Sequence, residues 1–343
     1  MRHSSTAPKT ATVREVAKRA DVSVGTVSRY LNGYTLRARN AERIERAIKE
    51  LGYKENFIAK GMKTRRTMTI GVALPNLDAF HAGILSLLDK SLSKRGYFLV
   101  LCDYEGDPGI LNAKLTFLYD RYVDGLIVSP IPGDVEILEK YKREGIPFVF
   151  FNDIWPGFEA DKVFVNNEEA SFRAVEYLIR LNHRRIGVVN GPMRFSTAAE
   201  RFMGFKRALA VHNIPLEERW TREGEWGSVV SGYSAGKSLL RQRDRPTALF
   251  AANYLLGIGV LRAINELGLR IPDDISFVSF DDSETFQAYH PPVTCIRQPL
   301  ELISESVAEL MIRRLRGDRD DFPHETVLQA NLILRDSIRM IER

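Results

Sequence analysis

Cysteine is scarce in this chain, since only Cys102 and Cys295 occur among 343 residues. Both lie in apolar runs far apart in sequence, which favours buried thiols in a reducing compartment over a disulfide framework. No Cys/His cluster has zinc-ligand spacing, so we expect no metal. No run approaches the roughly 18 apolar residues of a membrane span, and the polar N-terminus lacks the apolar stretch of a secretory signal. These absences favour a cytoplasmic protein that does not enter a membrane.

Enzyme motifs are also missing or incomplete. Residues 232–238, GYSAGKS, are one residue short of the phosphate-binding pattern G-x-x-x-x-G-K-[ST]. Gly257 and Gly259 lack the third glycine of a dinucleotide fingerprint. The zinc-protease pattern H-E-x-x-H does not occur. The sequence therefore predicts neither an enzyme nor a bound cofactor.

Positive charge is concentrated at the N-terminus. Residues 1–66 carry 16 Lys and Arg against 6 Asp and Glu, whereas the rest of the chain carries 33 against 38. A basic N-terminal part on a mildly acidic body indicates that the former meets a polyanion. The length also exceeds that of one ordinary domain and indicates two or three compact units.

The basic part includes residues 12–53, whose apolar spacing predicts three short helices. Thr12, with Glu15 three residues on, has capping-box spacing at the start of the first helix. Ser23 can cap a second helix from Val24 to about Leu31, and a third amphipathic helix follows. This arrangement of two helices joined by a tight turn, with a third helix packed against them, is the one that places its second helix in the DNA major groove. Short three-helix units also serve as protein-binding modules, which is the alternative.

From Thr67 onward, short apolar runs alternate with amphipathic stretches. The runs, such as TIGVAL at 69–74, are continuously apolar, which is typical of parallel strands buried on both faces. Two successive series of strands and helices predict two doubly wound parallel-sheet lobes, with a break near Asp161. The predicted domains are a disordered N-terminus (1–11), a helix-turn-helix head (12–53), a hinge or linker (54–67), and a core (68–343) made of a first lobe (68–161 and about 295–325) and a second lobe (162–294 and about 326–343).

The head resembles the DNA-binding domain of the lactose-repressor (LacI) family, whose pattern is A-G-V-S followed by T-V-S-R-x-L-N. This chain has ADVS at 20–23 and TVSRYLN at 26–32, with Asp21 in place of the usual glycine. The resemblance implies that Val24, Gly25 and Arg29 read base edges, and that Thr26 and Ser28 lie near phosphates. Arg29 is the best single reader, because a guanidinium can bond guanine O6 and N7 together. The candidate DNA-binding residues of the head are Thr12, Ser23, Val24, Gly25, Thr26, Ser28, Arg29 and Asn32.

The hinge matches the family in part. Asn56, Ala59 and Met62 fit its hinge helix, and Met62 stands where the family places a leucine that wedges into the minor groove. Glu55 stands where proline is usual, and Gly61 inside a helix costs about 1 kcal/mol relative to alanine. We therefore expect a hinge that is disordered off DNA and folds when docked. The alternative is a simple linker.

The core resembles the effector-binding core of the same family, which has the fold of type I periplasmic sugar-binding proteins. The matching motifs are TIGV at 69–72, VDGLI at 123–127, HRRIG at 183–187, IPDDIS at 271–276, FDD at 280–282 and PPVT at 291–294. The resemblance implies that Arg201, Asn253 and Asp281 grip effector hydroxyls and that Trp226 stacks on the ligand. Carboxylate, guanidinium and amide groups suit the hydroxyls of a sugar. The candidate effector-binding residues are Phe80, Asn152, Asp153, Arg201, Trp226, Asn253 and Asp281.

Each of these residues also has a structural alternative. Asp281 can cap the following short helix, Arg201 can pair with a surface carboxylate, and Asn253 can satisfy backbone groups in a turn. Trp226 can pack at the cleft edge. DAFH at 78–81 stands where N-P-F-F is common, which indicates a divergent pocket; the lone histidines, at 81 and 183, are predicted to be structural.

The sequence thus predicts a transcriptional repressor that binds a pseudo-palindromic double-stranded operator as a homodimer and responds to a small effector, most simply a sugar. No leucine-heptad tail follows the last predicted strand, so we expect a dimer and not a tetramer. The alternatives are a nucleobase-responsive regulator of the same family, a solute-binding receptor, and a sugar-modifying enzyme.

Overall fold

The computed structural model describes residues 11–31, 34–53, 66–133 and 136–342. The chain divides into two compact units, Met1–Thr67 and Met68–Arg343. The division falls where the sequence places the end of the hinge. The N-terminal segment predicted to be disordered, except its last residue, and most of the predicted hinge lie outside the described residues.

The first unit contains three helices, α1 (Val13–Ala20), α2 (Val24–Leu31) and α3 (Ala38–Leu51). The predicted capping box is present: the Glu15 amide donates to Thr12 Oγ1 at 3.3 Å, and the Thr12 amide donates to Glu15 Oε2 at 2.6 Å. The helices enclose one small core of apolar side chains, of which Val16, Val27 and Ile44 are fully buried.

Asp21 occupies the turn between α1 and α2 with φ 51° and ψ 52°, in the left-handed region. Aspartate tolerates this conformation better than most residues, so the turn forms without the usual glycine. The side chain has a second use, because Arg43 Nη2 of α3 donates to Asp21 Oδ2 at 2.7 Å. The substitution therefore keeps the turn and adds a bond across the head.

The second unit contains two six-stranded sheets. The first has the order β11-β5-β4-β3-β1-β2, and all its pairs are parallel. Its strands are β1 (Thr69–Leu74), β2 (Phe98–Asp103), β3 (Gly125–Val128), β4 (Phe148–Phe151), β5 (Asp161–Val165) and β11 (Glu325–Leu328). Its helices are α4 (Ala79–Ser93), α5 (Pro108–Asp120), α6 (Glu136–Arg143) and α12 (Leu300–Leu315).

The second sheet has the order β12-β10-β9-β8-β6-β7, and only the edge pair of β10 and β12 is antiparallel. Its strands are β6 (Ile186–Asn190), β7 (Thr221–Glu223), β8 (Ala248–Ala251), β9 (Ser276–Phe280), β10 (Thr294–Arg297) and β12 (Asn331–Ile333). Its helices are α7 (Asn167–Arg180), α8 (Ser196–Val211), α9 (Val229–Leu240), α10 (Tyr254–Glu266) and α11 (Glu284–Ala288). The predicted pair of doubly wound lobes is confirmed.

The lobe boundaries differ from those predicted in three places. β5 (161–165) belongs to the first sheet, so the break follows Val165 and not Asp161. β10 belongs to the second sheet, although 295 was predicted to open the return to the first lobe. β11 belongs to the first sheet, although residues from 326 were assigned to the second lobe. An apolar run shows that a strand is buried, but its sheet is decided by a partner far away in sequence.

The GYSAGKS segment lies in α9 and packs against α10. A Cβ on Gly232 would lie 2.5 Å from the Leu256 carbonyl oxygen, and one on Gly259 would lie 2.3 Å from the Val229 carbonyl oxygen. These glycines let the two helix backbones approach closely. The segment is therefore a helix-packing motif in this protein.

His183 is fully buried at the end of the second lobe opposite the carboxyl ends of the strands, as expected for a structural histidine. Its Nδ1 lies 2.9 Å from Thr247 Oγ1, and its Nε2 lies 3.0 Å from the Arg339 carbonyl oxygen. Burial lowers its pKa from 6.5 to about 4. The folded state therefore holds this ring neutral in a pH range where the unfolded chain protonates it.

This predicts that His183 makes the fold acid-sensitive. Above pH 6.5 the ring is neutral in both states and the unfolding free energy is at its full value. As the pH falls toward 4, the unfolded chain binds a proton that the folded chain does not, so the unfolding free energy decreases. Between pH 7 and pH 4.5, wild type should lose about 2 kcal/mol of unfolding free energy more than His183→Asn does. Urea titrations of both proteins at the two pH values measure this. An equal loss in both proteins would contradict the assignment.

Within the described ranges, no helix is long and apolar enough to span a bilayer. In the same residues, no group of three or more His, Cys, Asp or Glu side chains is placed to hold a metal ion.

Candidate functional site

The second helix of the head presents a polar and small-residue surface. Ser23 caps α2, since the Thr26 amide donates to Ser23 Oγ at 3.1 Å, and the two hydroxyl oxygens lie 2.8 Å apart. Val27 faces the core, whereas Val24, Gly25 and Arg29 are exposed. The residues predicted to read base edges thus share the open face of this helix.

The side chains on that face leave it open to close contact with a partner. A Cβ on Gly25 would meet nothing nearer than Ser23 Oγ at 3.7 Å, so the packing of the head does not require this glycine. Val24 is 47% exposed although it is apolar. The Arg29 guanidinium lies 5.7 Å from the centre of the Tyr34 ring, which orients it without burying it. Ser28 and Thr26 are half-buried beside these side chains.

Thr12 is exposed and is occupied by its capping box. The remaining predicted DNA contacts, Asn32, Asn56, Ala59 and Met62, lie outside the described residues.

A cleft of about 740 Å³ lies between the two lobes of the core. The first lobe contributes Phe80, and the second contributes Tyr254 and Asp281. Gln298, from the segment that crosses between the lobes, also lines it. The cleft is at the carboxyl ends of the strands, where ligands of doubly wound sheets bind. Of the predicted effector residues, Phe80 and Asp281 line this cavity directly.

Arg201 lies in α8 and is 3% exposed. Its Nε donates to Asn167 Oδ1 at 2.9 Å and its Nη1 to the Ala252 carbonyl at 2.7 Å. The guanidinium also lies 3.5 Å from the Phe280 ring centre and 3.9 Å from Asp281 Oδ2. Arg201 is therefore a buried cation that holds the ends of β8 and β9 together, and the surface ion pair offered as its alternative is excluded.

Asp281 follows β9 with φ 67°, a left-handed conformation that turns the side chain at the strand end. Gln298 Nε2 donates to its Oδ1 at 2.6 Å, and the Tyr254 amide donates to its Oδ2 at 3.3 Å. Burial raises the pKa of Asp281, while Arg201 and Gln298 act to lower it. The cap of the following helix α11 is Ser283, whose Oγ accepts from the Phe286 amide at 3.2 Å. Asp281 therefore does not cap α11.

Asp153 joins the lobes. It follows β4 in the first lobe, and its Oδ1 accepts from the Thr197 amide at 3.1 Å and from Ser196 Oγ at 3.1 Å, both at the start of α8 in the second lobe. Its neighbour Asn152 donates to Asp153 Oδ2 at 3.1 Å. These two residues therefore fasten one lobe to the other, with Asn152 supporting Asp153.

Asn253 caps α10, because its Oδ1 accepts from the Leu256 amide at 2.9 Å. This is the structural alternative, and it fixes the residue beside Arg201 and Asp281. Trp226 packs against apolar residues of both lobes. A Cβ on Gly191 would lie 2.3 Å from the Trp226 ring, so the indole covers the backbone at the end of β6.

Sequence reasoning missed several polar residues around the cleft. Asn190 ends β6 directly after an apolar run. Ligands of doubly wound sheets bind beyond the carboxyl ends of the strands, so the sequence could have indicated this residue. Gln298 directly follows β10, so the same reasoning applies to it. Asp78 and His81 lie at a helix start, and the sequence marked them only through the divergent DAFH segment.

Two protein-family models match the chain: Bacterial regulatory proteins, lacI family, over residues 12–56, and Periplasmic binding protein-like domain over residues 175–338. The HTH-type transcriptional repressor PurR of Pectobacterium carotovorum subsp. carotovorum (strain PC1) is 34% identical over 334 residues, covering 96% of this chain and 97% of that protein. The Lac repressor dimer bound to operator and the anti-inducer ONPF has a TM-score of 0.85 at 27% identity, over 96% of this chain and 100% of that one. The transcriptional regulator CelR–cellobiose complex has a TM-score of 0.72 at 30% identity, over 95% and 99%.

Proposed function

Because this chain belongs to the lacI family of bacterial regulatory proteins, we propose that it is a cytoplasmic repressor whose operator affinity is set by a small metabolite bound between the lobes of its core. DNA binding and control by a metabolite follow from the family.

The reading surface is the open face of α2. Val24 offers an apolar contact for a thymine methyl group, Gly25 permits close approach, and Arg29 offers a bidentate donor for guanine. Thr26 and Ser28 lie beside them, where hydroxyls can bond phosphate. Two copies of the chain would present two such helices to the half-sites of a pseudo-palindromic operator. The exposure of Val24, Gly25 and Arg29 on one helix face carries this assignment.

Arg29→Ala should weaken specific operator binding by about 1–3 kcal/mol and relax base preference at one position. The side chain is exposed, so the fold should not change. Arg46→Ala, which removes an exposed arginine of α3, is the matched control and should weaken binding less and equally for all sequences. Gel-shift titrations with the operator and with single-base variants measure both effects. Unchanged affinity and preference for Arg29→Ala would remove it from the readout.

The ligand class follows from the groups at the cleft. Arg201 and Asp281 form a charged pair beside Asn253 and Gln298, and Phe80 supplies a ring wall. Carboxylate, guanidinium and amide groups bond hydroxyls, and the C–H face of a sugar packs on an aromatic ring. We infer a sugar or sugar derivative. A nucleobase is the second candidate, because the same rings and charged pair can hold a planar heterocycle.

Two experiments test the proposal. Filter binding of the purified chain to generic duplex DNA over a salt series should give a steep decrease of affinity with salt. A thermal-shift screen over sugars, sugar phosphates and nucleobases should reveal a compound that raises the melting temperature, since a ligand stabilises the state it binds. A flat salt dependence would contradict the DNA role, and a screen without any stabilising compound would contradict the ligand classes.

A further inference from the structure

A cavity of about 330 Å³ lies in the first lobe, away from the cleft between the lobes. Phe148, the first residue of β4, and Asp161, the first residue of β5, line it, so it is at the amino ends of these strands. Arg319 and Phe322, in the loop between α12 and β11, line it as well. The cleft is at the carboxyl ends of the strands. The cavity is therefore separate from the proposed effector site.

Two loops that are fixed by hydrogen bonds shape this cavity. In the loop after α6, the Ile146 amide donates to the Tyr141 carbonyl at 3.0 Å. In the loop after α12, the Phe322 amide donates to the Arg319 carbonyl at 3.1 Å. Arg319 Nη2 donates to the Gly145 carbonyl at 3.2 Å, which joins the two loops. The cavity is thus formed by the protein alone, as most ligand pockets are.

The walls of the cavity are mainly apolar. Ile146, Pro147 and Phe148 contribute from the first loop and the strand that follows it, and Phe322 contributes from the second loop. Phe148 is buried, and its ring centre lies 5.7 Å from that of Phe150, so this wall is continuous with the core of the lobe. Ligand pockets have volumes upward of about 300 Å³. A cavity of this size and lining suits a compound with a single ring.

The charged groups that line the cavity are three cations and one carboxylate, and two of these four cancel. The carboxylate is Asp161, which accepts from Arg314 Nε at 2.7 Å and from Arg314 Nη2 at 2.9 Å. Both side chains are fully buried, and Arg314 Nη1 donates to the Asp318 carbonyl at 2.8 Å. This pair is therefore part of the wall and leaves no charge for a ligand.

Lys142 and Arg319 supply the remaining positive charge. Lys142 pairs with Glu159 at 2.8 Å, but the two side chains are 42% and 52% exposed, and such surface pairs are weak. Arg319 is exposed and, among the residues that the structure describes, pairs with no carboxylate. Its guanidinium has five donors, of which one bonds Gly145. An anion at the cavity can therefore bond both cations.

We propose that this cavity is a second ligand site of the core and that it takes a small anion with an aromatic ring, such as an aromatic carboxylate or a phenyl phosphate. The ring packs on Pro147, Phe148 and Phe322. The anionic group accepts hydrogen bonds from Arg319 and Lys142, and bonds of this kind between charged groups are stronger than neutral ones. The site does not depend on the effector proposed for the cleft.

Benzoate and phenyl phosphate are the probes for this site. Titrations of the full chain, followed by the NMR signals of the probe, give the dissociation constants. At least one of the two compounds should bind saturably. Benzamide, which is neutral, and inorganic phosphate, which has no ring, should each bind at least tenfold more weakly than the better probe.

Four variants locate the bound probe. Lys142→Ala and Arg319→Ala should each weaken binding of the better probe about tenfold, because each removes a charged donor. Arg143→Ala and Arg316→Ala are the matched controls, since each removes a neighbouring exposed arginine that does not line the cavity. The controls should bind as wild type does. All four side chains are exposed, and melting curves without ligand check that each variant folds.

Three results would overturn the inference. The first is that neither probe binds wild type saturably. The second is equal affinity of wild type and both lining variants, because the probe would then bind elsewhere, such as in the cleft. The third is benzamide or inorganic phosphate binding as tightly as the better probe, because the site would then not require a ring and a charge together. The proposed function assigns no role to this cavity, so it stands or fails separately.

Discussion

Arg201→Ala should lower the free energy of unfolding by about 3–5 kcal/mol and abolish the stabilisation that an effector gives. Arg201 is the buried cation among the carboxylates of Asp281, Asp153, Glu200 and Asp78, whose charges all act on it. Its removal leaves them without a compensating charge. It also frees the Ala252 carbonyl and Asn167, which hold the strand ends beside the cleft.

Arg207→Ala is the matched control, because Arg207 lies on the same helix and pairs with Glu168 and Glu169 at the surface. Exposed pairs contribute about 0–1 kcal/mol. Urea unfolding of both variants, with thermal shifts in the presence of the best compound from the screen, gives the comparison. A loss for Arg201→Ala no larger than that of the control would mean that the cluster does not depend on this cation.

Arg314→Ala should cost a similar amount, about 3–5 kcal/mol, without any effect specific to ligand or DNA. Arg314 on α12 donates to Asp161 from Nε at 2.7 Å and from Nη2 at 2.9 Å, and both side chains are fully buried. The pair joins α12, the helix that follows the crossing from the second lobe, to Asp161, the first residue of β5. Truncation leaves the Asp161 carboxylate buried with the His324 amide as a donor.

Arg316→Ala, an exposed position in the same helix end, should change stability by no more than about 0.5 kcal/mol. The double variant Arg314→Leu with Asp161→Leu should recover much of the loss, because a buried ion pair contributes less than its broken half costs. Chemical denaturation of wild type and of the three variants measures this. A double variant as unstable as Arg314→Ala would show that the pair itself stabilises the lobe.

Local patterns predicted the elements of this fold well. The capping box at Thr12 and the Ser23 cap each depend on two residues three positions apart, and both are present as predicted. Continuous apolar runs predicted the parallel strands. Asp281 and Asn253, which were named from the family resemblance, lie just after β9 and β8, where the carboxyl ends of these parallel strands meet at one edge.

Pairings between distant segments were not predicted. Nothing near Asp161 indicates that β5 joins the first sheet, since its partners β4 and β11 are separated from it by very different lengths of chain. Asp153 was expected to touch ligand, and its additional bonds to the start of α8 in the other lobe were not predicted. Asp78 and His81 lie at a helix start, where no periodic pattern marks them.

The most direct test of the account is operator binding with and without effector. Fluorescence anisotropy would follow the purified chain on duplexes from its own genomic neighbourhood, at fixed salt, with each stabilising compound from the screen. The account predicts one preferred duplex whose affinity changes by about 5–150-fold when the effector is present, and not at all in Arg201→Ala. No preference for any duplex over a scrambled one, with or without metabolites, would contradict it.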